Sequence, residues 1–266
     1  MQLHTGATVF GRSPRVFFPA LAGALAIALV LLLTPHASGA GAADGLHLTW
    51  NDCPLGPSSS QNRNFDCASE TGRSDLFLAF TVGAPVDSVL GLEAVVDLQA
   101  AGLGLPDWWS FQAGACRADV LLASDVFGAT NCLDVWQGQT SGGVVDYVPG
   151  MPRGGGNQAR LRMALGVPVP QARFLDNAGM YYAFRVVIPH VATAGCSGCA
   201  TPVCLVFNTL RIRRPPRPEG APDGDVLLQT PGSSGNWSTW QTGLGADCLA
   251  VPARNRTWGA VKALYR

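Results

Sequence analysis

Charge is scarce in this chain, and one cation is almost missing. Only 14% of the 266 residues are Asp, Glu, Lys or Arg, and a single lysine, Lys262, stands beside 17 arginines. The arginine excess, with abundant Ala and Gly, reads as composition bias rather than function. A chain this apolar does not stay disordered. Glutamate is nearly as rare, at Glu70, Glu93 and Glu219 only. Histidine is present at His4, His36, His47 and His190. No G-x-S-x-G elbow is present. Long apolar runs are confined to the N-terminus, and the rest of the chain shows no long helical period and no fixed-period repeat.

The one long apolar run, residues 16–33, follows Arg12 and Arg15 and precedes Pro35 and the small residues Ala40-Gly41-Ala42. That order predicts a secretory signal peptide over 1–42 with A-x-A cleavage. An uncleaved anchor is the competing reading. Cleavage removes Arg12 and Arg15 and leaves 16 cationic side chains against 18 anionic ones, about −2. Such a balance does not suggest a nucleic-acid binder. The expected location is secreted, periplasmic or cell-surface.

All eight cysteines lie beyond that segment: Cys53, Cys67, Cys116, Cys132, Cys196, Cys199, Cys204 and Cys248. An even count in an exported chain predicts disulfides. Proximity in sequence favours Cys53–Cys67 and Cys116–Cys132. Among the remaining four, Cys199–Cys204 and Cys196–Cys248 are the preferred pairs of three possible sets. A zinc site is disfavoured because Cys248 has no partner knuckle. A thioredoxin-type redox motif needs a helix after Cys199, and none is expected.

Period-2 patterns predict strands over 45–50, 75–82, 89–99, about 120–123, 161–165, 181–188, 205–213, 226–230 and 237–241. Leu90, Leu92, Ala94, Val96 and Leu98 form the cleanest apolar face. Two further faces are expected: Tyr182, Phe184, Val186 and Ile188, and Val206, Asn208, Leu210 and Ile212. Residues 137–160, ending in Gly154-Gly155-Gly156-Asn157, read as the longest irregular stretch. The Gly-rich end lacks the Lys-Ser/Thr of a phosphate loop. Residues 257–266 form a short amphipathic C-terminal tail, with Trp258, Val261 and Leu264 as its stripe and a docking or sorting peptide as its possible use.

The fold class that follows is all-β: a disulfide-stapled antiparallel β-sandwich, jelly-roll or Ig/cohesin-like, over 43–256. A split into two small sandwiches near 137–156 is the alternative. The succession of strand, Gly/Asn turn and aromatic strand resembles that of cohesin-like and carbohydrate-binding sandwiches. The likeness is one of fold pattern, with no motif specific to either.

Candidate chemistry is thin. Glycoside hydrolysis commonly needs two carboxyl groups about 5–9.5 Å apart. Glu93 and Asp97 share a strand face, but four residues put their backbones roughly 13 Å apart. His47, on the polar side of the first strand, and His190, at a strand end, read as ordinary surface or turn residues. Asp223-Gly224-Asp225 and Asp176-Asn177 offer oxygen donors for Ca²⁺, yet Asp and Asn belong in turns anyway. No cofactor is therefore expected. Arg211, Arg213, Arg214 and Arg217 read as a solvated sheet edge.

The strongest binding candidates are Asp107, Trp108 and Trp109, after a proline in a turn, and Trp237 and Trp240 near the end. Exposed aromatics stack on sugars or anchor partners, although large aromatics are more often core. The function expected is a non-catalytic extracellular protein for binding, adhesion or surface structure, its partner a carbohydrate or another surface protein. A secreted polysaccharide hydrolase or lyase is the alternative.

Overall fold

Alternating apolar and polar residues become strand almost everywhere they occur. The computed structural model describes residues 42–124, 131–191, 195–216 and 224–248. Residues 1–41 of the expected 1–42 signal segment and the tail over 257–266 lie outside the described residues, as do Arg217 and Asp223. The strands are β1 (Gly45–Trp50), β2 (Asn62–Arg63), β3 (Arg73–Thr81), β4 (Val86–Val89), β5 (Gly91–Ala100), β6 (Leu122–Ser124), β7 (Ser141–Pro149), β8 (Gln158–Gly166), β9 (Arg173–Leu175), β10 (Tyr181–Pro189), β11 (Val203–Arg213), β12 (Val226–Leu228) and β13 (Trp237–Trp240).

They form a smaller sheet, β1-β3-β10-β6, and a larger one, β2-β13-β11-β5-β8-β7, with β12 also on β11. A two-stranded sheet, β4-β9, lies apart from both orders. Pairing is antiparallel except for the short β2–β13 contact. One core unites the inner faces. Leu46, Leu48, Leu76, Leu78 and Val186 come from the smaller sheet, and Leu92, Val96, Leu98, Leu161, Leu205 and Phe207 from the larger. The packing leaves a void of only about 20 Å³ between them, lined by Leu76, Val96, Leu161 and Val186 among others. Such near-solid packing is usual for protein interiors.

Two bulges change which residues face this core. The register of β10 on β3 shifts between Tyr182 and Phe184. Tyr181 therefore joins the main core, while Tyr182 packs on the opposite face with Cys53, Phe77, Ala79 and Cys132. The register of β11 on β5 shifts between Phe207 and Thr209. Phe207, Leu210 and Ile212 face inwards, and Val206 packs outwards beside Cys204. A strict period of two cannot describe either strand, because each bulge inserts one residue.

Residues 137–160 are not an irregular loop. They contain β7, paired with β8 from Ser141↔Gly166 to Pro149↔Ala159. Its start reads as loop because Gly142 and Gly143 carry no side chains. Gly142 has φ 145°, and a Cβ there would sit 2.1 Å from the Ala164 carbonyl oxygen. The glycine permits a close strand contact despite its low strand propensity. Both sheets take strands from either side of this stretch.

The disulfides differ from every pairing favoured by sequence proximity. They are Cys53–Cys132, Cys67–Cys199, Cys116–Cys196 and Cys204–Cys248, with Cα separations of 5.4–5.9 Å. Loop-closure entropy favours near neighbours only weakly, growing with the logarithm of loop length. Strand topology decides instead which cysteines meet. Cys196 and Cys199 each reach back to an earlier loop, and Cys204, on β11, holds the segment after β13. Four disulfides mark an oxidising, extracytoplasmic compartment.

Candidate functional site

The tryptophans first proposed for binding are mostly interior. Trp108 and Trp240 are 0% exposed and Trp109 1%, whereas Trp237 is 41% exposed. Trp108 stacks on Trp240 with centroids 4.8 Å apart, and Trp50 lies 5.9 Å from Trp240. The guanidinium of Arg117 sits 3.9 Å from the Trp108 ring centroid and donates to the carbonyls of Trp108 and Pro189. Burial pushes its pKa down to about 10, so it remains charged at neutral pH. The Cys196–Cys199 loop is bound to this cluster: Trp240 Nε1 donates to the Cys199 carbonyl at 2.7 Å. The Asp107 carboxylate accepts from Ser197 Oγ at 3.0 Å. A side chain without exposed surface presents nothing to a ligand, so Trp108, Trp109 and Trp240 are core. A double tryptophan in a short 3-10 turn (Asp107–Trp109) can bury both rings, which an extended segment cannot.

Both described histidines, His47 and His190, are interior too, contrary to the surface reading. His47 is 1% and His190 3% exposed. His47 Nδ1 meets Ser234 Oγ at 2.5 Å, and its ring packs over Gly232 so closely that a Cβ there would lie 2.0 Å from Cε1. Nε2 of His47 has no hydrogen-bond partner among the described residues. His190 Nδ1 faces the Thr71 carbonyl at 3.0 Å, and Nε2 faces Ser74 Oγ at 2.9 Å. The carbonyl can only accept, so Nδ1 carries the proton and Nε2 accepts from Ser74. This is the relation of a nucleophile, a base and its orienting group. Sequence reading missed it, because Ser74 and His190 lie 116 residues apart. Access is lacking: Ser74 is 1% exposed, Phe65 covers the imidazole with centroids 3.7 Å apart, and Arg63 Nε donates to Ser74 Oγ at 3.2 Å. The pair joins strand ends rather than meeting a substrate.

The outer face of the larger sheet gathers most of the remaining polar chemistry. Cross-strand register sets Thr209, Val95, Arg162 and Asp146 in one row, and Leu227, Arg211, Glu93, Ala164 and Gly143 in the next. Trp237, Val206, Asp97 and Arg160 form a third. Asp97 is 0% exposed. Arg160 holds it with two hydrogen bonds of 2.6 and 2.8 Å, and Asn208, re-aimed by the β11 bulge, donates to the same carboxylate. Arg162 pairs with Asp146, Arg213 with Glu93 at 3.4 Å, and both Arg211 and Arg213 with Asp225.

The arginine run is therefore not a solvated edge. Strand β11 is interior to the larger sheet, and Arg214 reaches Asp87. Of the carboxylates expected as Ca²⁺ donors, the two described ones, Asp225 and Asp176, are engaged. Asp225 receives the arginines, and Asp176 Oδ1 accepts from the Ala178 amide at 2.9 Å. Among the described residues no group of three or more His, Cys, Asp or Glu side chains is set to hold a metal ion.

Between these rows runs a groove of about 520 Å³. Half-buried Val95, Ala164 and Thr209 lie within it. Glu93, Arg162, Arg211, Leu227, Gln229 and Val145 stand around it. The hydrogen bond from Arg162 holds the Asp146 carboxyl below its ordinary pKa, the wrong direction for a general acid. A second cleft, of about 700 Å³, lies between β6 and β7 and is lined by 121–123, 141–145 and 164–166. Among the described residues its only polar side chain is that of Ser141. Sequence alternation could have shown that Glu93, Val95 and Arg162 face outwards. It could not show that β5, β8, β11 and β12 bring them together. The chain matches no protein-family model, and no curated protein resembles it in sequence.

Proposed function

We propose that the protein is exported and non-catalytic, and binds material outside the cell through the outer face of the larger sheet. The observation that carries this reading is the groove across β12, β11, β5, β8 and β7; among the described residues its carboxylate, Glu93, and the adjoining Asp146 and Asp225 are each paired with arginine. A hydrolase or lyase needs a carboxyl group free to protonate a leaving group or take a proton. Here each carboxylate is bound in an ion pair, which supports recognition over catalysis. The crossovers that put β10 beside β3 and β11 beside β5 support reading the packed sheets as a Greek-key sandwich of jelly-roll or Ig/cohesin-like type. The signal-like N-terminus and the four disulfides support export.

The test is retention of the purified, oxidised protein on cell-envelope material from the producing organism. Ala164→Arg fills the groove without touching the core. Lost retention with unchanged thermal stability is the expected result, and equal retention of variant and wild type overturns the proposal.

A further inference from the structure

We propose that the groove on the larger sheet takes an uncharged, polyhydroxylated chain, such as a segment of neutral polysaccharide. The inference rests on the binding reading above and adds the class of ligand.

The first argument is charge balance. Among the described residues Arg162 and Arg211 are the cations of the groove, and each lies against a carboxylate, Asp146 or Asp225. Glu93 is paired in turn with Arg213. An anionic polymer would meet guanidinium groups already neutralised, beside three carboxylates that repel it. A cationic ligand would meet the converse. An uncharged ligand displaces no ion pair.

The second argument is hydrogen-bonding capacity. A guanidinium offers only donors, a carboxylate only acceptors, and the Gln229 amide and Thr209 hydroxyl offer both. A hydroxyl group donates and accepts at once, so a surface of mixed donors and acceptors suits a ligand carrying many hydroxyls. Charge-assisted bonds from the exposed edges of these pairs are stronger than neutral ones. The side chains of Arg162 and Arg211 are 54% and 40% exposed, so donor groups remain within reach of a ligand.

The third argument is shape. Val95, Ala164 and Leu227 supply small apolar surfaces that match the C–H faces of a sugar ring. The groove crosses β12, β11, β5, β8 and β7, four strand spacings or about 19 Å, which suits a chain better than a single ring. Its volume lies within the range usual for small-ligand clefts, roughly 300–1,000 Å³. A protein partner needs a broad face with an apolar centre; here the apolar side chains are separated by ion pairs. Trp237 is exposed on the same outer face, in the row of Val206, Asp97 and Arg160, and offers an aromatic platform beyond the groove.

Affinity electrophoresis of the oxidised protein through gels containing soluble neutral β-glucan or xylan, or anionic polygalacturonate, tests the inference. Retardation by a neutral polymer is expected, unchanged in about 0.5 M salt, where exposed charges are screened. Ala164→Arg and the milder Gln229→Ala should each bind about tenfold more weakly, the loss of one good contact. Their melting temperatures should match the wild type. Binding to polygalacturonate alone, or neutral-polymer binding unaltered in both variants, overturns the inference. If Ala164→Arg abolishes retention on envelope material while no neutral polymer retards the wild type, the ligand class is wrong and the binding face stands. If retention also survives that substitution, both fail.

Discussion

Asp97 shows how far a single residue's role depends on its neighbours. In sequence it is one of the polar residues alternating along β5, expected to face water. In the fold it is fully buried on the outer side of the larger sheet, held by Arg160 and Asn208. An isolated buried carboxylate would cost several kcal/mol, and pairing offsets that cost. Arg160→Ala leaves the charge buried and should destabilise the protein by roughly 3 kcal/mol, measured by urea denaturation. Asp97→Asn with Arg160→Met should cost less, because no unpaired charge remains.

The two described histidines give a pH dependence at the same scale. Burial lowers the pKa of both His47 and His190 below 6.5. The unfolded chain therefore takes up these protons first on acidification. Their contribution to stability is whole above pH 6.5 and is lost as pH falls through the folded-state values. The melting temperature should fall between about pH 7 and about pH 5, where unperturbed histidine titrates. His47→Gln should flatten part of that fall. An equally steep profile in the variant would place the effect elsewhere.

At the scale of the element, alternation located most of the regular strands and failed at the bulges, at β7 and at the short β2, β4 and β9. Residues 45–50 carry a pattern that pleating alone explains, and β1 has those bounds. In β10 and β11 the inserted residue exchanges faces midway, so Tyr182 and Val206 leave the expected row. For β7 the pattern fails because close packing against β8 needs glycine, a residue that weakens strand propensity. Gly142→Ala drives a methyl group into the Ala164 carbonyl oxygen and should detach the start of β7. Hydrogen exchange over residues 141–145 and their β8 partners should rise, with the centre of β5 unaffected.

Across the whole molecule, the disulfides bind distant parts of the chain. Cys67–Cys199 spans 132 residues and Cys53–Cys132 spans 79. In the chain-entropy model, loops of that size stabilise by about 4–5 kcal/mol each. Mild reduction should unfold the protein at temperatures the oxidised form withstands, followed by circular dichroism with and without dithiothreitol. Peptide mapping without reduction should yield the crosslink of Cys204 to Cys248. A Cys199–Cys204 peptide in its place would contradict the fold.

By itself the sequence determined the all-β class, the strand faces free of bulges and the commitment of the cysteines to disulfides. These follow from local periodicity and from the chemistry of thiols in an oxidising compartment, both of which act over short stretches or by composition. Only the tertiary structure decided which cysteines meet, that Trp108, Trp109 and Trp240 are core, and that Glu93, Arg162, Arg211 and Leu227 share one groove. Those outcomes depend on strand order and register between segments far apart in the chain. The energies that select them come from packing one sheet on another, which no local pattern encodes.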